Sequence, residues 1–404
     1  MVRVAFVAGT YQPQHCGVAH YTAHLRQALS ARGIESLILT THEAANQLKD
    51  PTVQGAVNRW RLSELLALAQ AIIESKVDCL HIQHAAGTYG FDRAIFLLPL
   101  LLRLLGWRLP IVTTVHEYGW WEWRPAYLPS PLLEWLQTWG QRRGWWDRED
   151  GFLLTYSDAI ITTNQQAEQI IYQRLPHLKS VTHRIPIAAN VETALLDRST
   201  ARQMVQQAYG WSGEVAIIAF FSFLHPVKGL ETLLPAFQQV VAVYPQARLL
   251  LIGGVESLAL PGAQASCYWE QLKALVAELG LTEVVQMTGY SDQVSTYLRA
   301  ADLGVLPFHA GITLKSGSLL AMMAHRLPIV ATRSNPPDPD LTDESLLKLV
   351  SPRDASALAT ALLELLTDPA QQHRLSQAAW CYSQQFSWNH IADAHLRVYN
   401  TVIN

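Results

Sequence analysis

The stretch EVAIIAFFSFLHPVKGLETLLPAF, residues 214–237, contains an apolar run, a short loop and the start of a helix-length segment. The β-branched and aromatic residues of 214–223 predict a buried strand, and the segment after the loop predicts a helix from Leu230 to Val243. Strands and helices alternate in the same way through the first half of the chain, and that pattern stops near residue 195. The stretch therefore marks a restart, which predicts two consecutive α/β domains.

The alternation itself predicts the type of sheet. Strands that are each followed by a helix imply parallel, doubly wound sheets, and such sheets bind ligands at the carboxyl ends of their strands. We therefore expect two Rossmann-like doubly wound domains, residues 1–195 and 196–385, that face each other across a cleft. The predicted strands of the first half are RVAFVA (3–8), SLILTT (36–41), CLHIQH (79–84), PIVTTVH (110–116) and AIITTN (159–164). Those of the second half are EVAIIAFFSF (214–223), ARLLLIGG (247–254), VVQMTGY (284–290), LGVLPF (303–308) and PIVAT (328–332).

Composition narrows the class of protein. The chain has 404 residues, more than one core usually supports, and 50% of them are hydrophobic while 16% are charged. A formal net charge of −3 gives no electrostatic footprint for nucleic acid. The four cysteines form no CxxC pair, which favours neither a zinc site nor a disulfide framework and makes the reducing cytosol the expected compartment. The longest apolar run, residues 94–102, is too short to span a bilayer.

Four segments resemble the motifs of one enzyme family. CGVAHYTAHLRQALSARG (16–33) is similar to the opening GGVxxYxxxLxxALxxRG of the family 4 retaining glycosyltransferases, which have the GT-B fold. FSFLHPVKGLETLLPAF (221–237) resembles their GRLxxxKGxxxLxxAF segment, LRAADLGVLPF (298–308) their ADxxxxPS segment, and FSWNHIADAHLRVY (386–399) their closing helix. The similarity extends in order over nearly the whole chain.

The resemblance carries several expectations. It implies transfer of a sugar from a nucleotide-diphosphate donor, with the nucleotide held mainly by the second domain and with no cofactor or essential metal. It also implies that the last segment, residues 386–404, forms a helix that crosses back to the first domain. Loop amides and a helix N-terminus at Gly17 could approach the phosphates. Amides near Gly289 and Tyr290, at the end of a predicted strand, would lie near the base.

The resemblance is incomplete where the diphosphate is expected. The family uses an arginine and a lysine of the GRLxxxKG segment, and here the glycine and arginine positions are Ser222 and Phe223, whereas Lys228 is retained. Lys228 is therefore expected to carry more of the positive charge that meets the departing phosphate. The alternative is a solvated lysine at a helix start, although a cation there opposes the helix dipole unless an anion binds nearby.

The second departure concerns two glutamates that the family places eight positions apart. Those positions are Thr313 and Ala321 here, so neither carboxylate is present. What remains is a predicted helix start with a capping serine, a glycine that permits close approach, and exposed first-turn amides, all features of an anion site. With Thr313, the predicted donor contacts in this segment are Lys315, Ser316, Gly317 and Ser318. An ordinary capped helix in a degenerate enzyme is the alternative.

Histidines at strand ends are candidates for the first domain. His116 closes the strand PIVTTVH, where family members often have a histidine that faces the donor sugar, and Glu117 is a candidate partner that would raise its affinity for a proton. Either this role or a loop histidine bonded to backbone fits the sequence. His84 could reach the acceptor side from its strand end, whereas His81 on the same strand is expected to be buried.

A tryptophan-rich segment follows His116. Residues 120–146 contain seven tryptophans interleaved with arginines, and Trp120, Trp121 and Trp123 come first. Such rings can stack on a saccharide, lie at a lipid interface on the inner face of a membrane, or simply pack together. The sequence leaves these three interpretations open.

The leading prediction is thus a metal-independent retaining hexosyltransferase, with His116 and Lys228 as catalytic residues and a saccharide or lipid-linked molecule as acceptor. Two alternatives remain: a non-catalytic protein that binds sugar nucleotides, suggested by the missing glutamates, and a GT-B phosphorylase or epimerase.

Overall fold

The computed structural model describes residues 2–14, 16–125, 129–193, 195–255, 260, 262–341 and 345–403. Contacts between residues divide the chain into two compact units. The first unit comprises Met1–Ile187 together with Trp388–Asn404, and the second comprises Ala188–Ser387. The predicted limits, 195 and 386, lie a few residues from these two positions.

The first unit alternates strands and helices. Its elements before the last helix are β1 (Arg3–Ala8), α1 (Gly17–Ser30), β2 (Glu35–Thr41), α2 (His42–Leu48), β3 (Val53–Val57), α3 (Leu65–Glu74), β4 (Cys79–His84), α4 (Leu98–Leu104), β5 (Ile111–Val115), α5 (Ser130–Arg142), β6 (Ala159–Thr162), α6 (Gln165–Arg174) and β7 (Thr182–Arg184). In the described part of this unit the strands form one parallel sheet of order β3-β2-β1-β4-β5-β6-β7.

The second unit repeats this plan. Its elements are α7 (Arg198–Tyr209), β8 (Ala216–Phe221), α8 (Leu230–Val243), β9 (Ala247–Ile252), α9 (Gly262–Glu278), β10 (Val285–Gly289), α10 (Val294–Ala300), β11 (Leu303–Leu306), α11 (Gly317–Ala324), β12 (Ile329–Thr332), β13 (Lys348–Val350), α12 (Ala355–Thr367) and α13 (Pro369–Ser383). Its described strands form a parallel sheet of order β10-β9-β8-β11-β12-β13. Both sheets confirm the doubly wound α/β prediction.

The central strands are buried on both faces because helices cover both sides of a parallel sheet. All of β4 and β5 and the middle of β8 are buried, and the buried residues of β4 include the polar His81, Gln83 and His84. The last helix, α14 (Trp388–Ile403), belongs to the first unit, where it packs on α1. An ion pair of 2.5 Å between Arg32 and Asp393 joins these two helices.

Each sheet has one place where the strand order reverses. That switch point lies between β1 and β4 in the first unit and between β8 and β11 in the second. The loops that leave neighbouring strands at a switch point diverge to opposite faces of the sheet, which opens a crevice at the carboxyl ends of the strands. The two crevices are the natural positions for ligands in the two units.

Candidate functional site

At the switch point of the second unit, the loops after β8 and β11 contact each other directly. His309 donates its backbone N–H to the carbonyl of Val227 at 3.0 Å. Gly229 has a φ of 75°, and a Cβ at this position would collide with the carbonyl of Pro307. Only glycine combines this left-handed conformation with so close an approach, so the two loops are joined where the retained KG dipeptide lies.

Lys228 lies at the centre of this junction. Its Nζ is 3.9 Å from the centre of the Phe308 ring, and its side chain is half-buried. Within the described ranges no carboxylate forms an ion pair with it. Burial lowers the pKa of the Lys228 ammonium to about 8, since desolvation disfavours the charged form. The solvated lysine considered in the sequence analysis is therefore not what the structure shows.

The loop of residues 313–318 leads into α11 in this unit. Ser316 is the N-cap, and its Oγ accepts a hydrogen bond from the backbone N–H of Leu319 at 3.2 Å. Thr313, Lys315, Gly317 and Ser318 are all partly exposed, whereas the helix behind them is buried from Leu319 to Met323. The helix start thus presents its first turn outward on a rigid base.

A carboxylate does approach this loop, from a different element. Asp338 lies in the segment after β12, and its Oδ2 accepts the backbone N–H of Leu314 at 3.0 Å. Its Oδ1 accepts the N–H of Asp340 at 3.0 Å. Asp338 therefore links the loop of residues 313–318 to the segment after β12. Ala321 is fully buried within α11, so the position of the second family glutamate offers no polar group to a ligand.

The predicted base-side residues lie at the same edge of the sheet. Gly289 ends β10 with a φ of 68°, and Tyr290 is 52% exposed. The amide of Gly253, at the end of β9, donates to Thr288 Oγ1 at 3.3 Å, and the carbonyl of Gly254 accepts from Leu224 at 2.9 Å. Since Leu224 belongs to the loop that carries Lys228, the structure brings all predicted donor residues of the second unit to one edge.

In the first unit, Gly17 is the exposed first residue of α1, and its N-cap, Cys16, makes no side-chain capping bond. The helix therefore begins without the usual side-chain acceptor for its first amides. Among the residues that the structure describes, and apart from its neighbours in the chain, none comes within 4 Å of a Cβ built at Gly17.

His116 follows β5 and is 9% exposed. Its Nε2 lies 2.9 Å from Gln83 Oε1 on the neighbouring strand β4, and its backbone N–H donates to the carbonyl of His84 at 2.9 Å. Glu117, the partner suggested by sequence, has an exposed side chain. Sequence reasoning missed Gln83 because it is 33 positions away, and only the pairing of β4 with β5 brings the two side chains together.

The two other strand histidines are interior residues. His81 is fully buried, as expected. His84 is 3% exposed, with its ring 5.3 Å from that of Phe96, and burial lowers its pKa to about 4. The structure therefore does not present His84 to an acceptor, because its side chain points into the aromatic interior of the unit.

The tryptophan-rich segment has a buried anchor and an exposed face. Glu149 accepts the backbone N–H of Gly119 at 2.7 Å and pairs with Arg174 at 2.9 Å. The Arg93 guanidinium lies 3.8 Å from the Trp121 ring, which packs on the core. The exposed tryptophans are Trp120 (56%), Trp123 (40%), Trp135 (59%) and Trp145 (48%). Plain packing thus explains Trp121 but leaves the exposed rings unexplained.

Other features of the described residues bear on ligands. No group of three or more His, Cys, Asp or Glu side chains among them is arranged to hold a metal ion. None of the helices they form is both long enough and apolar enough to cross a membrane. All four cysteines are unpaired.

Two family models match the chain. Residues 16–192 match the model described as "Glycosyltransferase Family 4", and residues 215–368 match "Glycosyl transferases group 1". A relative in Corynebacterium glutamicum, a GDP-mannose-dependent monoacylated alpha-(1-6)-phosphatidylinositol monomannoside mannosyltransferase, is 24% identical over 95% of this chain and 93% of its own. The D-inositol 3-phosphate glycosyltransferase of Saccharomonospora viridis is 27% identical over 59% of this chain and 54% of its own. The matches span about half the length of the first such relatives.

Solved structures resemble the fold over its whole length. Anabaena Alr3699/HepE in complex with UDP and glucose has a TM-score of 0.72 at 16% identity and covers 99% of this chain and 100% of that one. Sucrose-phosphate synthase from Thermosynechococcus elongatus has a TM-score of 0.70 at 20% identity and covers 99% of both chains.

Proposed function

The chain belongs to the family 4 glycosyltransferases of the GT-B fold, and from this premise we propose that it transfers a sugar from a nucleotide-diphosphate donor to a saccharide or lipid-linked acceptor, with retention at the anomeric carbon. The observation that carries the proposal is Lys228, a half-buried ammonium at the switch point of the second sheet. The relatives' names add that transfer to phosphorylated or lipid acceptors occurs in the family.

Lys228 suits a diphosphate on electrostatic grounds. An ammonium that has lost part of its hydration and has no paired carboxylate is destabilised, and a binding anion would offset that cost. The start of α11, with Lys315 to Ser318 partly exposed, adds amides and a second cation at the same edge. Donor phosphates bound between Lys228 and this helix would direct the base toward Gly289 and Tyr290.

The chemistry we propose requires no protein nucleophile and no metal ion. The bond between the anomeric carbon and the phosphate oxygen breaks while the acceptor oxygen bonds to the same face of that carbon. The acceptor hydroxyl proton passes to the departing phosphate, whose growing negative charge is stabilised by Lys228 and the α11 amides. His116 would hydrogen bond to the donor sugar, and Gly17 would approach the phosphates, so that the protein mainly positions the reactants.

The missing glutamates keep a non-catalytic sugar-nucleotide binder as the second candidate. Ala321 is buried and Thr313 can make only modest hydrogen bonds, so the ribose and sugar contacts of the family are reduced. Asp338 does not replace them, because both its oxygens accept backbone amides. A phosphorylase or epimerase gains no support from any residue described above.

A thermal-shift panel of UDP-, GDP-, ADP- and TDP-sugars tests donor binding. A ligand that binds only the folded state raises apparent stability, by roughly 2.7 kcal/mol at one hundred times its Kd, so we expect one nucleotide to raise Tm well above the others. The same nucleotide without its sugar and free phosphate serve as controls. Absence of a shift with every donor at millimolar concentration would contradict the proposal. Binding without turnover over a broad acceptor panel would instead favour the non-catalytic candidate.

For the acceptor side we propose that Glu117 and the exposed rings of Trp120 and Trp123 contact the acceptor, with the partly buried Trp121 stacked against Trp120. The Arg143 guanidinium lies 4.7 Å from the centre of the Trp139 ring and 5.3 Å from that of the exposed Trp145. The exposed Trp135 stacks on Trp139, and this face suits the surface of an anionic membrane. The unpaired cysteines favour the reducing cytoplasm, so that surface would be the inner one.

Flotation with vesicles tests the membrane contact. We expect the protein to float with vesicles that contain anionic lipid and to remain at the bottom of the gradient with neutral vesicles or in high salt. Trp135→Ser with Trp145→Ser should abolish flotation, whereas Trp269→Ser, at a partly exposed tryptophan of the second unit, serves as the control for a lost ring. Equal flotation of the double variant and the wild type would remove this surface from consideration.

A further inference from the structure

His116 is held by two neighbouring side chains. Gln83 lies on one side, with its Oε1 at 2.9 Å from His116 Nε2. Tyr21 of α1 lies on the other, with ring centres 4.9 Å apart and planes at 81°. Both partners are almost completely buried, at 0% and 2% exposure. The ring is therefore constrained by groups that cannot exchange their hydrogen bonds with solvent.

The first contact continues through the interior to the last helix. Gln83 Nε2 is 3.2 Å from His81 Nε2, and His81 Nδ1 is 2.6 Å from the hydroxyl of Tyr399 in α14. Thr114 Oγ1 lies 2.7 Å from the same His81 Nε2. Burial holds the pKa of His81 well below its usual value, so its ring is neutral and carries one proton.

These contacts have a defined direction. An amide N–H₂ only donates, so His81 Nε2 accepts from Gln83, and His81 Nδ1–H donates to Tyr399. The amide oxygen of Gln83 only accepts, so His116 must donate its Nε2–H to it. In a neutral His116 ring the lone pair then lies on Nδ1, because the hydrogen bond made by one ring nitrogen fixes the tautomer of the other.

The second contact reaches the same helix independently. His395 Nδ1 donates to the carbonyl of Ile391 at 2.8 Å, so its Nε2 is an acceptor, and the hydroxyl of Tyr21 donates to it at 3.3 Å. Burial lowers the pKa of His395 to about 4, which keeps that acceptor available at neutral pH. His395 and Tyr399 are four residues apart, so both project from one face of α14.

We propose that α14 fixes the orientation and the tautomer of His116 through Gln83–His81–Tyr399 and Tyr21–His395, with Gln83 as the positioning residue in contact with the ring. The inference deepens the proposed function, since it assumes that His116 meets the donor sugar. It assigns to the C-terminal helix a role in the site beyond packing. Loss of the Gln83 acceptor removes the hydrogen bond that fixes the tautomer of the ring.

Nitrogen-15 NMR of histidine-labelled full-length protein tests the proposal without any substrate. In the wild type we expect the His116 signals, assigned by their loss in His116→Asn, to show Nε2–H as the dominant tautomer. Gln83→Met keeps the length of the side chain but removes the acceptor, and should convert His116 to a mixture of tautomers. Tyr399→Phe removes one hydroxyl and should shift the proton of His81 toward Nε2. Arg397→Gln, on the exposed face of α14, is the matched control and should leave all signals unchanged.

The outcomes separate this inference from the proposed function. An unchanged His116 tautomer in Gln83→Met, or a wild type with Nδ1–H, would overturn the inference whether or not the protein is active. If Gln83→Met does not fold, the His81 shift in Tyr399→Phe decides, and its absence would also overturn it. Once a donor is identified, Gln83→Met should lower kcat about tenfold, with donor KM changed less than about twofold, as expected for the loss of one hydrogen bond that acts in the transition state. A normal tautomer in a wild type without turnover would count against the proposed function alone.

Discussion

Lys228→Ala is expected to abolish the donor-induced rise in Tm. A hydrogen bond between charged groups contributes roughly 1.5–3 kcal/mol, so the loss of the ammonium should weaken donor binding by about 10- to 150-fold. At a donor concentration near the wild-type Kd this removes the thermal shift. Circular dichroism of the unliganded variant checks that it remains folded, since the contact between the Lys228 ammonium and the Phe308 ring is lost as well.

The lowered pKa of Lys228 adds a pH dependence whose sign can be derived. Below about pH 8 the ammonium is charged and ready for the diphosphate; above that value the free protein loses the proton and must regain it when the donor binds. Donor affinity should therefore be constant below about pH 8 and fall above it, by up to about tenfold per pH unit. Lys228→Arg keeps its charge throughout and should show no such fall, which also corrects for titration of the nucleotide base.

Calorimetry of the donor against wild type, Lys228→Ala and Lys228→Arg between pH 6.5 and pH 10 measures both effects. Folding stability should follow the opposite trend and rise as the pH increases from about 8, because the unfolded lysine holds its proton to higher pH than the folded one. Equal donor affinity in Lys228→Ala and wild type would reject the diphosphate assignment, and with it the main support for the proposed function.

His116→Ala should produce the opposite pattern, with donor binding retained and transfer largely lost. The side chain belongs to the first unit, at the end of β5, whereas the nucleotide contacts we propose lie in the second. Loss of the His116 Nδ1 acceptor removes a contact that positions a hydroxyl of the donor sugar; because misplacement of the reactants by about 1 Å can cost about 10² in rate, we expect kcat to fall by about 10². The rise in Tm that the donor produces should be the same in His116→Ala as in the wild type, because donor affinity is unchanged.

Steady-state kinetics with the donor identified by the thermal-shift panel measures this split. The control is His373→Ala, an exposed histidine on α13, which should leave kcat and donor KM unchanged. A large rise in donor KM at constant kcat would show that His116 contributes uniform binding and has no special role in the transition state. Full activity in His116→Ala would end the assignment of a catalytic role.

The elements that the sequence predicted best are the buried strands rich in apolar residues. Strands such as β1 and β8 are short runs composed mostly of apolar β-branched, aromatic and alanine residues, and their length and composition favour a buried strand. The strands that sequence analysis missed, β3, β7 and β13, are short and lie toward the edges of the sheets. Their three to five residues become strands only through pairing with a neighbour, which no local pattern reveals.

The sequence also identified the elements that carry the candidate site but not the contacts between them. The loop after β8 was found because Lys228 and Gly229 stand where a known motif has its KG pair. Phe308 is 80 positions later in the chain, and its ring lies beside the Lys228 ammonium only because β8 and β11 are neighbours in the sheet. Likewise Asp338, which supports the loop of residues 313–318, reaches it only through the folded segment after β12.

By itself, then, the sequence determined the family and most of the order of strands and helices, and it predicted the edge of each sheet at which ligands would bind, because periodicity and motif spacing are local properties of the chain. The tertiary structure alone decided which side chains surround the key groups: Phe308 beside Lys228, Gln83 beside His116, and α14 behind both His81 and Tyr21. The physical reason is that burial, pKa and tautomer depend on neighbours distant in sequence, and only the packing of the strands and helices chooses those neighbours.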